Sequence, residues 1–413
     1  MIGNKFDMNI KKRLLLLILL LSVLLSGCNY PVVIDGAVLK SSAPQTEPVQ
    51  QIPEEIIEPI IGFSETETED LDKMVQVLPE ELQSYTSEFS DYSSYTYFHH
   101  LNDTDKLLYH AYEYALDQGL PYIWMDERLL YGMERSAFEI LEFLSLDSAM
   151  VEQNIEYVKD SYVKNGETYT TFFLEDFTKA RLKHKKDAVL QAKLILYHIE
   201  GYQYYSHREL ARLLYIAVGN SMGYTDDVPN GEYLYAGLCE CYTNCDGFAN
   251  AFALVCRLAE IPCIEVNSDD QPGEEGHTWN MVLLDGQWVY VDPTGSYDDA
   301  WSHCDNRIQN PVCFGFSFNL LRQRVRYSDL IPSCPNGVMS VLNLPSQRNP
   351  EFINSIRTEF AKNGGKFAVV LLQEGEIDDQ TIQELVDAMN CDLHYVSYQN
   401  IYGRTVYHLY NNE

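Results

Sequence analysis

The sequence predicts an α+β protein. Three observations carry that: apolar residues recur at helical spacing through residues 93–200, a helix is followed by a hairpin between 244 and 292, and helices alternate with strands after 340. Hydrophobic residues make up 46% of the 413, so the chain can bury sizeable cores and, by its length, forms more than one domain. A formal charge of −32 argues against a surface built to bind phosphate backbones, which excludes nucleic acid as an expected partner.

Residues 1–27 read as an export signal. Lys11, Lys12 and Arg13 precede an apolar run over 14–25, too short for a free-standing membrane span. Leu25-Ser26-Gly27-Cys28 resembles the lipobox of bacterial lipoproteins, which implies cleavage before Cys28 and a diacylglycerol on its thiol. The expected location is therefore extracytoplasmic, with the membrane contacted through the Cys28 lipid. Residues 28–92 are rich in Pro and acidic side chains, including Glu65, Glu67, Glu69, Asp70 and Asp72, and read as a disordered tether that like charges keep extended.

The stretch 93–200 reads as mainly helical. Leu107, Leu108, Ala111 and Ala115 follow the Asn102-Asp103-Thr104 start, Leu129 to Leu141 gives a second stripe, and Ala188 to Ile199 a third. Ser206-His207-Arg208-Glu209 has the capping-box pattern and opens the helix that leads into a core over 201–335. Beyond it, 340–413 reads as a small αβαββ accessory domain, its last two strands joined through the turn at Asn400 to Gly403.

Nine cysteines follow Cys28. Setting aside Cys245 leaves an even number, compatible with disulfides outside the cytoplasm, although the pairing is open. Cys239, Cys241 and Cys245 offer a weak zinc alternative without a second ligand pair, so no metal and no cofactor is assigned.

Chemistry concentrates between 244 and 292. Phe248, Phe252, Val255 and Ala259 run at helical spacing after Asn244-Cys245-Asp246-Gly247, which puts Cys245 at a helix N-terminus. Exposed N–H groups and the positive dipole end there favour a thiolate over a thiol. Asp285-Gly286 is a two-residue hairpin turn, and its register sets Trp279 opposite Asp292. His277 shares the face of Trp279 and lies diagonal to Asp292, so a carboxylate can orient an imidazole there.

Cys245-Asp-Gly-Phe-Ala-Asn-Ala-Phe, Gly276-His277-Thr-Trp-Asn-Met-Val and Gln287-Trp-Val-Tyr-Val-Asp292-Pro-Thr resemble, in order, three motifs of the transglutaminase-like superfamily. Tyr235-Ala-Gly-Leu238-Cys-Glu240 is similar to the segment before the nucleophile in bacterial members. The resemblance implies a papain-like core, with the cysteine helix packed on an antiparallel sheet. It also implies Cys245 as nucleophile, His277 as general base and then acid, and Asp292 as orienter. The Cys245 N–H and Tyr235 are candidates for the oxyanion, and Trp279 for the substrate wall. Two departures stand out: Glu260 replaces the glycine usual after the cysteine helix, and Cys239 stands where papain relatives carry a glutamine. The expected function is a surface-anchored thiol enzyme transferring acyl groups from a protein or peptide amide, to water or to an amine. A non-catalytic binding module of the same fold at the cell envelope is the alternative.

Overall fold

The computed structural model describes Leu82, Tyr85, Ser87 and residues 96–152, 157–164, 166–269, 276–296, 313–321, 323–338, 340–365, 367–391 and 393–411. The export signal, Cys28 and most of the expected tether lie outside them. Two compact units emerge: the described residues up to Glu200 together with Asn220–Gly247, and Gly201–Gly219 together with Phe248–Glu413. The expected core over 201–335 is thus shared, because residues 220–247 fold with the N-terminal region.

In the first unit, α1 (Asp103–Gln118) starts where the Asn102 side chain accepts from the Asp105 N–H and stops at Gly119 in the left-handed region. Its buried face presents Leu108, Tyr109, Tyr112 and Ala115. The folded part reaches further back than expected. Leu82 is buried, and the Tyr85 and Ser87 hydroxyls donate to the two Asp117 oxygens at 2.5 and 2.8 Å. Tyr85 also meets the Tyr114 ring edge-on. A tether running to 92 is corrected accordingly: an acidic composition does not prevent docking where aromatic and hydroxyl groups find partners on a helix.

Helices predominate over 93–200, as the spacing predicts, but the stretch also holds a sheet that the helical reading does not include. Between α1, α2 (Ala137–Asp147) and α3 (Lys179–His198) stands a sheet of β1 (Tyr122–Asp126), β2 (Tyr157–Lys164) and β3 (Glu167–Leu174), in the order β1-β3-β2. Both pairings are antiparallel, with Tyr122 opposite Phe173 and Tyr157 opposite Leu174. The signal was present in the chain: Asn165-Gly166 is a hairpin dipeptide flanked by Val, Thr, Tyr and Phe.

A buried charge cluster joins these elements. Lys185 Nζ and Arg181 Nη1 donate to the Asp176 oxygens at 2.6 and 3.2 Å, and Glu152 accepts from the Leu234 N–H at 3.4 Å. Burial pushes the Glu152 carboxyl up to about 8, against the opposing pull of Lys185. Lys185 and Arg181 face the carboxylate of Asp176, and the charges of Asp176 and Asp246 add to the upward push on Glu152.

Residues 220–247 add a parallel pair, β4 (Gly223–Tyr224) with β5 (Tyr242–Thr243). A turn at Tyr233–Tyr235 runs between them into a π-helix, Ala236–Glu240, which Cys241 ends at φ 67°. Wide π turns occur mostly as short pieces, often near functional sites.

The second unit holds two four-stranded sheets. Its first helix, α4 (His207–Ser221), carries the expected capping box: the Ser206 hydroxyl accepts from the Glu209 N–H, and the Glu209 carboxylate from the Ser206 N–H. Helix α5 (Cys245–Leu258) buries Phe248, Phe252 and Val255. Four antiparallel strands follow in order: β6 (Cys263–Asn267), β7 (Thr278–Leu284), β8 (Gln287–Val291) and β9 (Phe314–Phe316). The β7–β8 register is the one the turn dictates, Leu284 opposite Gln287 and Asn280 opposite Val291. Asp285 and Gly286 both take positive φ, as that turn type requires. Glu260 adopts φ 59° after α5, so the chain makes the left-handed turn without the usual glycine.

The C-terminal αβαββ pattern is present, extended by one short strand. Strand β10 (Leu342–Leu344) pairs in parallel with β11 (Phe367–Leu372), giving the order β10-β11-β13-β12 with β12 (Leu393–Gln399) and β13 (Thr405–Asn411). Helices α6 (Phe352–Lys362) and α7 (Asp379–Met389) supply Phe352, Ile356, Phe360 and Leu385 to a core with Val370, Leu372 and Leu409. Among the described residues no helix is long and apolar enough to cross a membrane.

Candidate active site

Cys245 opens α5, as its spacing predicts. The Asn244 side-chain oxygen accepts from the Gly247 N–H at 3.3 Å, capping the helix one residue before the cysteine. The Cys245 N–H therefore lies in the first turn, among donors with no intrahelical acceptor. Cys245 is a free thiol, 9% exposed.

Gly247 fixes how this turn sits. The Thr243 hydroxyl donates to the Tyr233 carbonyl at 2.9 Å, and a Cβ on Gly247 would lie within 1.9 Å of that hydroxyl and 2.5 Å of that carbonyl. Alanine favours a helix over glycine by about 1 kcal/mol, but overpacking typically costs about 1–3 kcal/mol or more. The backbone carbonyl cannot swing aside, so the clash wins. Gly247→Ala is expected to lower stability and to slow alkylation of Cys245; urea unfolding and peptide-resolved labelling check both. Unchanged stability would show that the turn can shift.

His277 precedes β7 and is tied to the neighbouring chain: its N–H donates to the Ser268 hydroxyl at 2.8 Å, and the Ser268 N–H donates to its carbonyl at 2.9 Å. Its Nε2 lies 2.8 Å from Asp292 Oδ2. The second carboxylate oxygen accepts from the Thr294 N–H at 3.0 Å, and the Asp292 N–H donates to the Cys313 carbonyl. Asp292 is thus held from both ends, and the carboxylate fixes which imidazole nitrogen points outward from the pair. Trp279 stacks on the His277 ring at 5.5 Å between centroids.

Asn280 links this strand to the cysteine helix. Its side-chain nitrogen donates to the Ala249 carbonyl at 3.1 Å, one helical turn after Cys245, and both residues are fully buried. Asn280 also stands opposite the buried Glu265 in the β6–β7 ladder. Neither Asn280 nor Ser268 was singled out from sequence. A lone amide within the otherwise apolar stretch Trp279 to Leu284 is the available signal for Asn280; Ser268 has none.

Residues 200–293 match the family model of the Transglutaminase-like superfamily. They form a transglutaminase-like segment. Kyphoscoliosis peptidase of Homo sapiens is 40% identical over 62 residues, 13% of this chain and 9% of that protein, and the Mus musculus protein is 39% identical over the same length. The chain thus spans about a tenth of the length of the curated relatives it matches. Among solved structures, one described as a TGase aligns with TM-score 0.26 and 16% identity, over 47% of this chain and 53% of that one. The periplasmic domain of TgpA from Pseudomonas aeruginosa aligns with TM-score 0.20 and 19% identity, over 31% and 55%.

The other candidate residues, Trp279 and Tyr235, each pack against a histidine ring. Trp279 is 2% exposed, so it backs the His277 ring instead of forming an open wall. Tyr235 stacks on His184 at 4.2 Å, and His184 Nδ1 lies 2.7 Å from Glu232. Burial first, and then the nearby Glu240 and Asp187 carboxylates, raise the Tyr235 phenol. Burial also pushes Cys239 up to about 12, helped by Asp187, so that thiol stays protonated. Cys241 is disulfide-bonded, which removes it from the zinc set weighed above, and no group of three or more metal-ligating side chains occurs among the described residues.

Proposed function

We propose that this protein is a thiol enzyme that transfers the acyl group of a protein or peptide amide through Cys245, His277 and Asp292. The observation that carries the proposal is the 2.8 Å His277–Asp292 pair at the end of a hairpin whose strand β7 is bonded to the cysteine helix through Asn280. In this mechanism the Cys245 sulfur attacks the carboxamide carbon, and His277 takes up the thiol proton. The oxyanion collects at the first turn of α5, where the Cys245 N–H is a donor. Collapse breaks the C–N bond, and His277 gives its proton to the departing amine. Water or a second amine then attacks the thioester, His277 accepts its proton, and the thiol is restored. Asp292 steadies the imidazolium throughout.

The proposal extends to place and partner. The Cys28 lipid would hold the enzyme on the outer side of the bacterial membrane, where its substrates are proteins or peptides of the envelope. Cys28→Ala is the direct check on anchoring, since it should leave unprocessed precursor.

Unequal losses are expected within the trio. His277→Ala should lower turnover of a casein substrate, read as peptide release or fluorescent amine incorporation, by about 10²–10⁴-fold. Asp292→Asn keeps the shape and loses the charge, so it should retain more activity than His277→Ala. Equal activity in His277→Ala and wild type would remove His277 from the mechanism.

A further inference from the structure

Strand β2 ends its sheet. In the order β1-β3-β2 it pairs with β3 alone, and no described strand lies on its other side. Lys164 stands opposite Glu167 across a two-residue connection, which makes them a hydrogen-bonded pair. By alternation Val158, Asp160 and Tyr162 bond to β3, while Tyr157, Lys159, Ser161 and Val163 turn their N–H and C=O groups outward. The Ser161 N–H donates to the Asp160 carboxylate one residue back, at 2.7 Å. A side chain thus stands in for the carbonyl of a neighbouring strand.

The same residues line a cavity of about 500 Å³. Tyr157, Lys159 and Ser161 alternate onto one sheet face, Ser161 opposite the buried Thr170, and form one side of it. Tyr131, Arg135 and Phe138 stand across, from the segment before α2 and its first turn. Tyr131 is 69% and Phe138 49% exposed, so the opening is apolar. Two cations and one carboxylate, Glu127, line the space, in a chain of formal charge −32. Arg135 lies 3.6 Å from Glu139, whereas Lys159 pairs with no carboxylate among the described residues.

Outward backbone groups fit an extended partner, and the cavity beside them fits its side chains. Across an antiparallel edge, residues that exchange backbone bonds also point their side chains to the same face. A residue laid against Lys159 therefore bonds the edge and enters the cavity beside the ammonium, where a carboxylate complements it. We propose that the free edge of β2 is a docking site for an extended acidic peptide segment of a protein partner, which adds as an antiparallel strand and sets a glutamate or aspartate beside Lys159. Main-chain bonds give the affinity and the cavity gives the side-chain preference. The proposal does not depend on the reading of Cys245 as nucleophile.

The probe is a fluorescein-labelled peptide, Thr-Val-Thr-Glu-Thr-Val-Thr, whose glutamate and two valines share one strand face. Its binding to the full chain is read by fluorescence anisotropy and should saturate. Exchanging the glutamate for lysine should weaken binding by about tenfold, within what a hydrogen bond between charged groups supplies. Lys159→Glu should reverse that order, so that the lysine peptide binds the variant better than the glutamate peptide does. Backbone methylation tests strand addition without altering the protein. A methyl on the glutamate nitrogen, which faces β2, should weaken binding by about tenfold, and one on the next threonine nitrogen, which faces away, should leave it unchanged. No saturable binding, equal effects of the two methyl groups, or an unreversed preference in Lys159→Glu overturns the proposal. A dimer of this chain that the peptide dissociates would assign the edge to a second copy and overturn it as well.

Discussion

Cys245→Ala is expected to abolish thioester formation and to lower any acyl-transfer rate by on the order of 10⁶-fold, the loss that follows removal of a covalent nucleophile. Without sulfur there is no atom to hold the acyl group, and His277 has no proton to move in the first step. The measurement is the intact mass of the protein after incubation with a glutamine-containing peptide, together with peptide release and amine incorporation. Cys239→Ala is the matched control. It removes another thiol of the same segment, one that burial keeps protonated, and should leave all three readouts unchanged. Activity that survives Cys245→Ala would assign the chemistry to another group. The two outputs also decide the acceptor, since release of peptide reports water and incorporation reports an amine.

Lys185→Met is expected to have the largest effect on stability. Lys185 and Asp176 are 3% and 2% exposed and meet at 2.6 Å. Removing one partner of a buried pair costs about 3–5 kcal/mol, because the other charge stays buried without it. Arg181 still reaches Asp176, which holds the expected loss near about 3 kcal/mol. Glu152 adds a pH dependence. Its folded carboxyl lies at about 8, above its ordinary value, so the folded state keeps a proton that the unfolded chain releases. That contribution to stability is complete below the ordinary carboxylate range and falls as pH rises toward 8. Lys185 pulls Glu152 down, so the variant should carry it higher and extend the decline. The stability gap between wild type and Lys185→Met, from urea unfolding, should widen from pH 6 to pH 9. A gap that closes with pH would mean that Lys185 does not act on Glu152.

Local chemistry made much of the second unit legible. The β7–β8 register followed from Asp285-Gly286 alone, because a two-residue turn fixes every pair behind it and thereby sets His277 diagonal to Asp292. Asn244 and the apolar spacing after it located the start of the cysteine helix, and the αβαββ pattern after 340 followed from alternating periods. The first unit was less legible. Its three-stranded sheet exposes Val158 and Val163 beside Lys159, Asp160 and Ser161, so no clean apolar–polar alternation marks the strand that the Asn165-Gly166 signal follows.

By itself the sequence determined the helix that begins at Cys245, the hairpin that pairs His277 with Asp292 and the order of those motifs, since each depends on turns, caps and side-chain periods within a few residues. Only the tertiary structure decided that Leu82, Tyr85 and Ser87 belong to the folded part, that residues 220–247 fold with the N-terminal region and that Trp279 backs the histidine ring. Those facts depend on contacts between segments tens to hundreds of residues apart. Burial and hydrogen bonding select such contacts from many that local pattern allows equally, and no spacing rule encodes the choice.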